Sequence, residues 1–557
     1  MLKSLVDNQF YKKVTPFWVA IAVITIIGVL FRIFCCYWGY PVPLHPDEPT
    51  IVEESINMLS RHSWEAYVYN RPDQFEIKCN AILFTVISWV KYHVPAYVAF
   101  QTHEMTFYLI ARFFSTACGT LLIPLTAILI EKITKDMSMN LSIHTKSAQI
   151  SGAFLVAFST IFIEHSAYAT PDIPLTFLIA VFTWLFLSYL DEVKFEIFVK
   201  SCIVIGIGIT IKYPAAILCI PLAFMVLYYA IVIAKQPSII FKYAIVSVLI
   251  IGATIFIIAP NLYADIDNVY ATLLTEARSI HLGADGLGFW GNFHYYLKTA
   301  IGNLGYESIV LACIGGYSLI KSKQQSFQIY TFGIGIVFWF CLSTLPLHWV
   351  RWGIPIYYFY ILIVAVGIGF VTNFFTTFKK EFCVYGKNIY RLLAFLFTMF
   401  VLLNTFISGC AITKSKLLCD TRISSKKFCD YSRITKNNTL YESFTLFAPR
   451  FVSHNQVLKF FDLTKTGIRL KKDFESKKYL MFSDVFRNCF FAEPERYTSA
   501  IAVFTEIDNK YKLLHKEVPD GNYMQRPEMI DNIFYSFQYL FSHINTTGST
   551  IYIYKLK

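Results

Sequence analysis

Two adjacent carboxylates, Asp47 and Glu48, stand in the stretch Pro43-Leu-His-Pro-Asp-Glu-Pro-Thr50, just past a long apolar run. A carboxylate held ionised at a membrane surface suits a general base. The flanking residues favour ionisation. Pro49 and Thr50 open a pattern, Ile51, Val52, Ser55, Met58 and Leu59, that predicts an amphipathic helix. Proline is tolerated in a helix's first turn. Asp47 or Glu48 therefore occupies the cap or first turn, where the dipole and free amides favour negative charge. The same residues also read as an ordinary N-cap and a charged turn. His45 is a candidate metal ligand beside Asp47, but no second His stands at a fixed spacing.

The elements that must position these acids are membrane spans. The chain has 557 residues, is 55% hydrophobic and 17% aromatic, and has only 15% charged residues. Long apolar runs recur through the first 411 residues, which predicts a polytopic α-helical membrane protein. The net charge of +12 lies mostly in loops and reads as topology and lipid contact, with no nucleic-acid partner. The 13 Cys form no CxxC pair and no zinc spacing. Cys419, Cys429 and Cys489 follow the last run, and their pairing depends on the compartment.

Lysine-rich loops belong in the cytoplasm, and they sort the runs into about eleven spans. The first run, about 17–39, leads outside to a loop at 40–104. The apolar segment 79–93 is short, carries Lys91 and is expected not to cross. Further runs lie at about 105–130, 148–168, 173–190, 201–211, 214–233, 243–260, 299–319, 327–346, 354–373 and 391–411. Residues 1–411 form the membrane part. Residues 412–557 are polar, Lys- and Tyr-rich, and predict a small extracytoplasmic α/β domain.

This topology gathers Asp47, Glu48, Asp172, Glu276, His281 and Arg351 on the outer side, with Lys212 between two short runs. Ionisable groups at membrane depth usually mark a functional site. Each also has a bland reading: Asp172 as a cap, Lys212 as a snorkelling residue, Arg351 as an aromatic-belt residue, Glu276 and His281 as a solvated loop. His281-Leu-Gly-Ala-Asp-Gly-Leu-Gly288 does not open a helix after a strand, so it is no nucleotide loop. Carboxylates and cations beside a large apolar volume suit chemistry on a lipid-linked phosphate. A cation stabilises the leaving phosphate while a carboxylate takes a proton from an attacking hydroxyl. A transporter or flippase would predict internal repeats, and none is evident.

In their order along the chain, five motifs resemble the GT-C membrane glycosyltransferases. They are similar above all to the group of protein O-mannosyltransferases and lipid A aminoarabinose transferases. The motifs are His-Pro-Asp47-Glu48-Pro, Tyr168-Ala-Thr-Pro-Asp172, Ile211-Lys212-Tyr213-Pro214, Tyr295-Tyr296-Leu and Arg351-Trp-Gly-Ile-Pro355. The likeness covers roughly residues 15–425. One departure is Phe75-Glu76-Ile-Lys78-Cys-Asn80, where many relatives have Lys-Pro-Pro. The resemblance implies Asp47 as catalytic base, Glu48 as its supporting acid and Asp172 in the active site. It implies Arg351, Lys212 and Lys78 as contacts to the donor phosphate; His45, Glu76, Glu276 and His281 are further pocket candidates by their position. It implies a polyprenyl- or dolichyl-phosphate sugar donor, inverting transfer, and a protein, glycan or lipid acceptor. A GT-C mannosyltransferase of GPI-anchor or N-glycan assembly is the nearest alternative. No cofactor is certain from the sequence, and a divalent metal is left open.

Overall fold

The computed structural model describes residues 16–134, 144–276, 287–321, 325–377, 384–441, 459–464, 467–472, 474–523 and 532–557. Among them, seven helices are long and apolar enough to cross a membrane: Pro16–Cys36, Ala96–Thr134, Asp172–Glu192, Tyr213–Ile233, Ile239–Ile258, Val350–Asn373 and Leu392–Leu417. An eighth candidate is the pair Thr145–Phe158 and Thr160–Ser166, bent by 54°. The chain is a multi-pass α-helical membrane protein, as its composition predicts.

The remaining expected runs are shorter helices. Phe195–Ile211 has 17 residues and Ser308–Lys321 has 14. The run at 299–319 is not one helix. Gly288–Gly302 stops there, Gly305 takes a left-handed φ of 88°, and helix resumes at Ser308. The short helix Ser308–Lys321 then crosses Ile354–Thr377 with backbones in contact. A Cβ on Gly315 would lie 2.1 Å from the Ile363 carbonyl, and one on Gly367 2.0 Å from that of Leu311. Small residues permit this approach between apolar helices. The 79–93 segment lies in helix Gln74–Tyr92, which is not among the long apolar spans and exposes Ile82, Val86, Trp89 and Val90 on one side.

The bend at Ser159 has a definite cause. Extended backbone at Ser159 interrupts the helix and leaves the Val156 and Ala157 carbonyls without helical partners. Arg32, fully buried on the first span, donates to both at 2.9 Å and also to Ser166 Oγ at 3.2 Å. Beyond the break, Asn303 Oδ1 accepts from Ser159 Oγ, Thr160 Oγ1 and the Ile161 N–H at 2.8–3.3 Å. The bend is thus clamped from both ends, and it delivers the next turn, Tyr168 to Asp172, to the acidic loop.

Past Leu417 the chain forms a four-stranded sheet in the order Thr439–Tyr441, Tyr479–Ser483, Ile551–Leu556, Tyr511–Glu517. The first pair is parallel and the others antiparallel. A Phe-rich core lies against the sheet, including Phe460, Phe482, Phe486, Phe490 and Phe504. Cys419 and Cys429 are free thiols.

Candidate active site

Asp47 is the residue before helix Glu48–Ser60, as expected, but its side chain makes no cap bond. It turns instead toward two arginines. Arg351 Nη1 donates to Asp47 Oδ2, and Arg71 Nη1 lies 3.2 Å from the same oxygen. Arg71 is itself held by Asp73 Oδ2 at 2.6 Å and donates to the Asp47 carbonyl at 3.2 Å. Burial alone would raise the Asp47 pKa, but Arg351 and then Arg71 outweigh it and hold the carboxyl well below the usual range.

Asp172 opens helix Asp172–Glu192, and Lys212 Nζ reaches its Oδ1 at 2.6 Å. Lys212 is free to do so because helix Phe195–Ile211 ends in extended backbone at this residue, before Tyr213 and Pro214. Its ammonium also lies over the Trp352 ring, while Arg351 lies over Trp349. Asp172, Lys212, Arg351 and Trp352 line one cleft with Leu175, Pro214, Phe338, Leu342 and Pro355. The cleft has a charged head and an apolar wall, the chemistry of an amphiphile with an anionic end.

Glu48 faces the other way. Its carboxylate receives Arg112 Nε and Nη2, both at 2.7 Å, and the Ala169 N–H at 3.1 Å. Both side chains are fully buried. Arg112 Nη1 also donates to the Cys36 and Trp38 carbonyls. The supporting acid expected at Glu48 is therefore a clamp inside the protein. It ties the acidic loop to helix Ala96–Thr134 and to the turn before Asp172.

His45 is buried and neutral. Burial pulls its pKa down to about 3, and its Nδ1 accepts the Asp47 N–H at 3.2 Å. Its ring lies on Tyr168, with centroids 4.4 Å apart. Tyr168 donates to Glu164 Oε1 at 2.8 Å, and Lys416 donates to both Tyr168 and Glu164 at 2.5 Å. Arg422, beyond the last span, donates to the Leu44 carbonyl at 3.1 Å. The loop that carries Asp47 thus leans on residues from two distant parts of the chain, 164–168 and 416–422.

The structure does not bring Lys78 to this cluster. Its ammonium donates to the Ile258 carbonyl at the end of another helix. Glu76 is fully buried, with Ser115 Oγ 3.5 Å from one oxygen and, among the described residues, no partner for the other; burial pushes its pKa well up. Glu276 ends helix Ile266–Glu276, but its side chain lies outside the described residues, as does His281. The metal reading at His45 and Asp47 does not fit. His45 Nδ1 is occupied by a backbone N–H, and Asp47, Asp73 and Asp172 each already hold a cation. Among the described residues no three His, Cys, Asp or Glu side chains converge on a metal position.

The family model of the dolichyl-phosphate-mannose-protein mannosyltransferases matches residues 111–264. An uncharacterised protein of Aquifex aeolicus is 26% identical over 218 residues, and the chain spans 39% of that relative's length, using 39% of its own. The crystal structure of the Archaeoglobus fulgidus oligosaccharyltransferase tethered with an acceptor peptide aligns with a TM-score of 0.52 at 12% identity, over 92% of this chain and 74% of that one. The A. fulgidus oligosaccharyltransferase AglB, in complex with an inhibitory peptide and a dolichol-phosphate, aligns with a TM-score of 0.51 at 13% identity, over the same shares of 92% and 74%. The chain has the fold of the GT-C membrane glycosyltransferases.

Within this GT-C fold, five residues of the site escape a reading by motif: Arg71, Asp73, Arg112, Glu164 and Lys416. Arg112 and Glu164 carried a signal, since a charge inside an apolar run demands a buried partner. Arg71 and Asp73 carried a weaker one, the tripeptide Arg71-Pro-Asp73, which stands in a loop of ordinary polarity.

Proposed function

We propose that the protein is an integral-membrane glycosyltransferase. It moves a sugar from a polyprenyl- or dolichyl-phosphate carrier to an acceptor hydroxyl on the extracytoplasmic face, with inversion. The observation that carries this is the convergence of Asp47 and Asp172 with Arg71, Arg351 and Lys212 at the head of an apolar cleft. The dolichol-phosphate bound by the similarly folded AglB supports the choice of carrier.

In this reading the resting carboxylates hold the cations ready. An arriving donor phosphate competes for Arg351 and Lys212, because phosphate accepts charge-assisted bonds as carboxylate does. Withdrawing Arg351 leaves Arg71 alone on Asp47 Oδ2, which makes the carboxylate a stronger base toward the acceptor hydroxyl. The acceptor oxygen then bonds to the anomeric carbon as the bond from that carbon to the phosphate oxygen breaks. The electron pair leaves on the lipid phosphate, and the hydroxyl proton goes to Asp47. The cations stabilise the charge that grows on the leaving group. Because the leaving group is an anion, no second carboxylic acid has to protonate it, unlike glycoside hydrolysis. Asp47 is a weak base at rest, and its low pKa keeps it ionised at every physiological pH. Tyr168 and His45 hold the loop and do not touch the reacting atoms.

The test is sugar transfer from a panel of radiolabelled polyprenyl- and dolichyl-phosphate sugars by the purified full chain in lipid. Turnover of one donor class, with release of the lipid phosphate, is the expected result. No turnover of any donor, or equal turnover by Asp47→Asn, removes the reading.

A further inference from the structure

Helix Ile533–Phe541 belongs to the polar C-terminal region, yet its nine residues, IFYSFQYLF, include no charge. Phe534, Phe537 and Phe541 recur at helical spacing and are 76%, 54% and 72% exposed. Ser536 and Tyr539 on the opposite side are buried. Water would make this exposed aromatic stripe costly.

The buried side says where the helix sits. Ser536 Oγ pairs with Ser408 Oγ at 2.9 Å, and Lys414 Nζ donates to the Tyr539, Leu540 and Ser542 carbonyls at 2.9–3.1 Å. Ser408 and Lys414 lie in the membrane-spanning segment Leu392–Leu417. Ser408 is nine residues before the end of that span, about 13 Å along its axis. Tyr539 also shares a core with Cys35 and Cys36, the last residues of the first span. The helix is therefore level with the ends of two spans, not above them. The last span also carries exposed apolar residues, Leu396 and Leu403, each about half exposed.

We propose that Ile533–Phe541 is an interfacial membrane anchor, with lipid acyl chains covering Phe534, Phe537 and Phe541. An amphipathic helix with Phe and Leu on its apolar face lies at the boundary of headgroups and acyl chains, and here Lys414 from the last span supplies the charge that the helix itself lacks. Lys414 makes the immersion possible. It satisfies carbonyls at the helix end that would otherwise be left without water, and a cation there complements the dipole. The anchor is a second attachment of the C-terminal region to the bilayer, separate from its covalent link after Leu417. It holds that region down while Arg422 reaches the acidic loop at the Leu44 carbonyl.

Photo-crosslinking tests this in the full chain, reconstituted in phosphatidylcholine vesicles. Benzoyl-phenylalanine replaces Phe534, Phe537 or Phe541 one at a time; all three are exposed, so each variant keeps its core. Tyr431 is the control: it is 90% exposed on helix Thr421–Tyr431, which carries Arg422, Lys426, Lys427 and Asp430. Lipid adducts at the three Phe positions, in the upper half of the acyl chain, and none at 431 are expected. Absence of lipid adducts at the three positions, or adducts joining two copies of the chain in their place, overturns the proposal. Equal lipid labelling at 431 overturns it too, because contact with lipid would then be general to the region.

Discussion

Asp47 and Glu48 are neighbours in sequence and opposites in surroundings. The Asp47 side chain is 22% exposed, and so is that of its partner Arg351, while Glu48 and Arg112 are fully enclosed. A buried ion pair has no exchange partner: water and substrate cannot reach it, so it can only hold structure. A pair at the mouth of a cleft can trade its cation for an incoming anion. In the proposed mechanism the difference separates the acid that reacts from the acid that fixes it in place. It also separates two costs of mutation, one in turnover and one in folding.

The comparison breaks first at the clamp. Glu48→Ala leaves Arg112 buried without its carboxylate, a loss of about 3–5 kcal/mol. The expected outcome is poor recovery of folded protein and a clearly lowered melting midpoint in detergent, read by thermal unfolding. Arg351→Ala leaves the fold intact and weakens donor binding about 10- to 100-fold, the worth of a charged hydrogen bond. Titration of a polyprenyl-phosphate, without any acceptor, measures that directly. Lys416→Met removes two bonds beneath Tyr168 and His45. It should lower turnover about 2- to 10-fold with donor affinity unchanged, since the residue supports the loop from behind.

The smallest effect concerns Glu76. Burial raises its folded pKa well above the ordinary glutamate value. The folded chain then holds a proton that the unfolded chain has lost, so wild-type stability falls as pH rises through that window. Glu76→Gln does not titrate. Its melting midpoint relative to wild type should climb from pH 4 to pH 8; a pH-independent difference would show Glu76 ionised in the fold. A chelator should leave transfer unchanged, because each carboxylate near the cleft already holds a cation.

Sequence made the membrane part legible because apolar runs and lysine-rich loops obey strong rules. It also brought Asp47, Asp172, Lys212 and Arg351 to one place, through motifs that keep their order. It could not tell the surroundings of Glu48 from those of Asp47, since adjacency along the chain says nothing about which way a side chain turns at a helix start. It set Lys78 beside the phosphate on an aligned segment whose prolines are missing, and the ammonium lies at the Ile258 carbonyl instead. The run at 299–319 looked continuous because Asn303 and Gly305 barely lower its hydropathy. The anchor helix was too short to register as a membrane element, and only its packing against Ser408 and Lys414 gives its depth.

The most direct measurement is a side-by-side comparison of Asp47→Asn and Glu48→Gln, each assayed for sugar transfer and thermal unfolding. Asp47→Asn should keep the wild-type melting midpoint and donor binding while losing about 10²- to 10⁴-fold in turnover, the usual worth of a general base. Glu48→Gln should lose stability, and any folded fraction should turn over near the wild-type rate. Wild-type turnover by Asp47→Asn, or a stable but inactive Glu48→Gln, would contradict the division between the two acids.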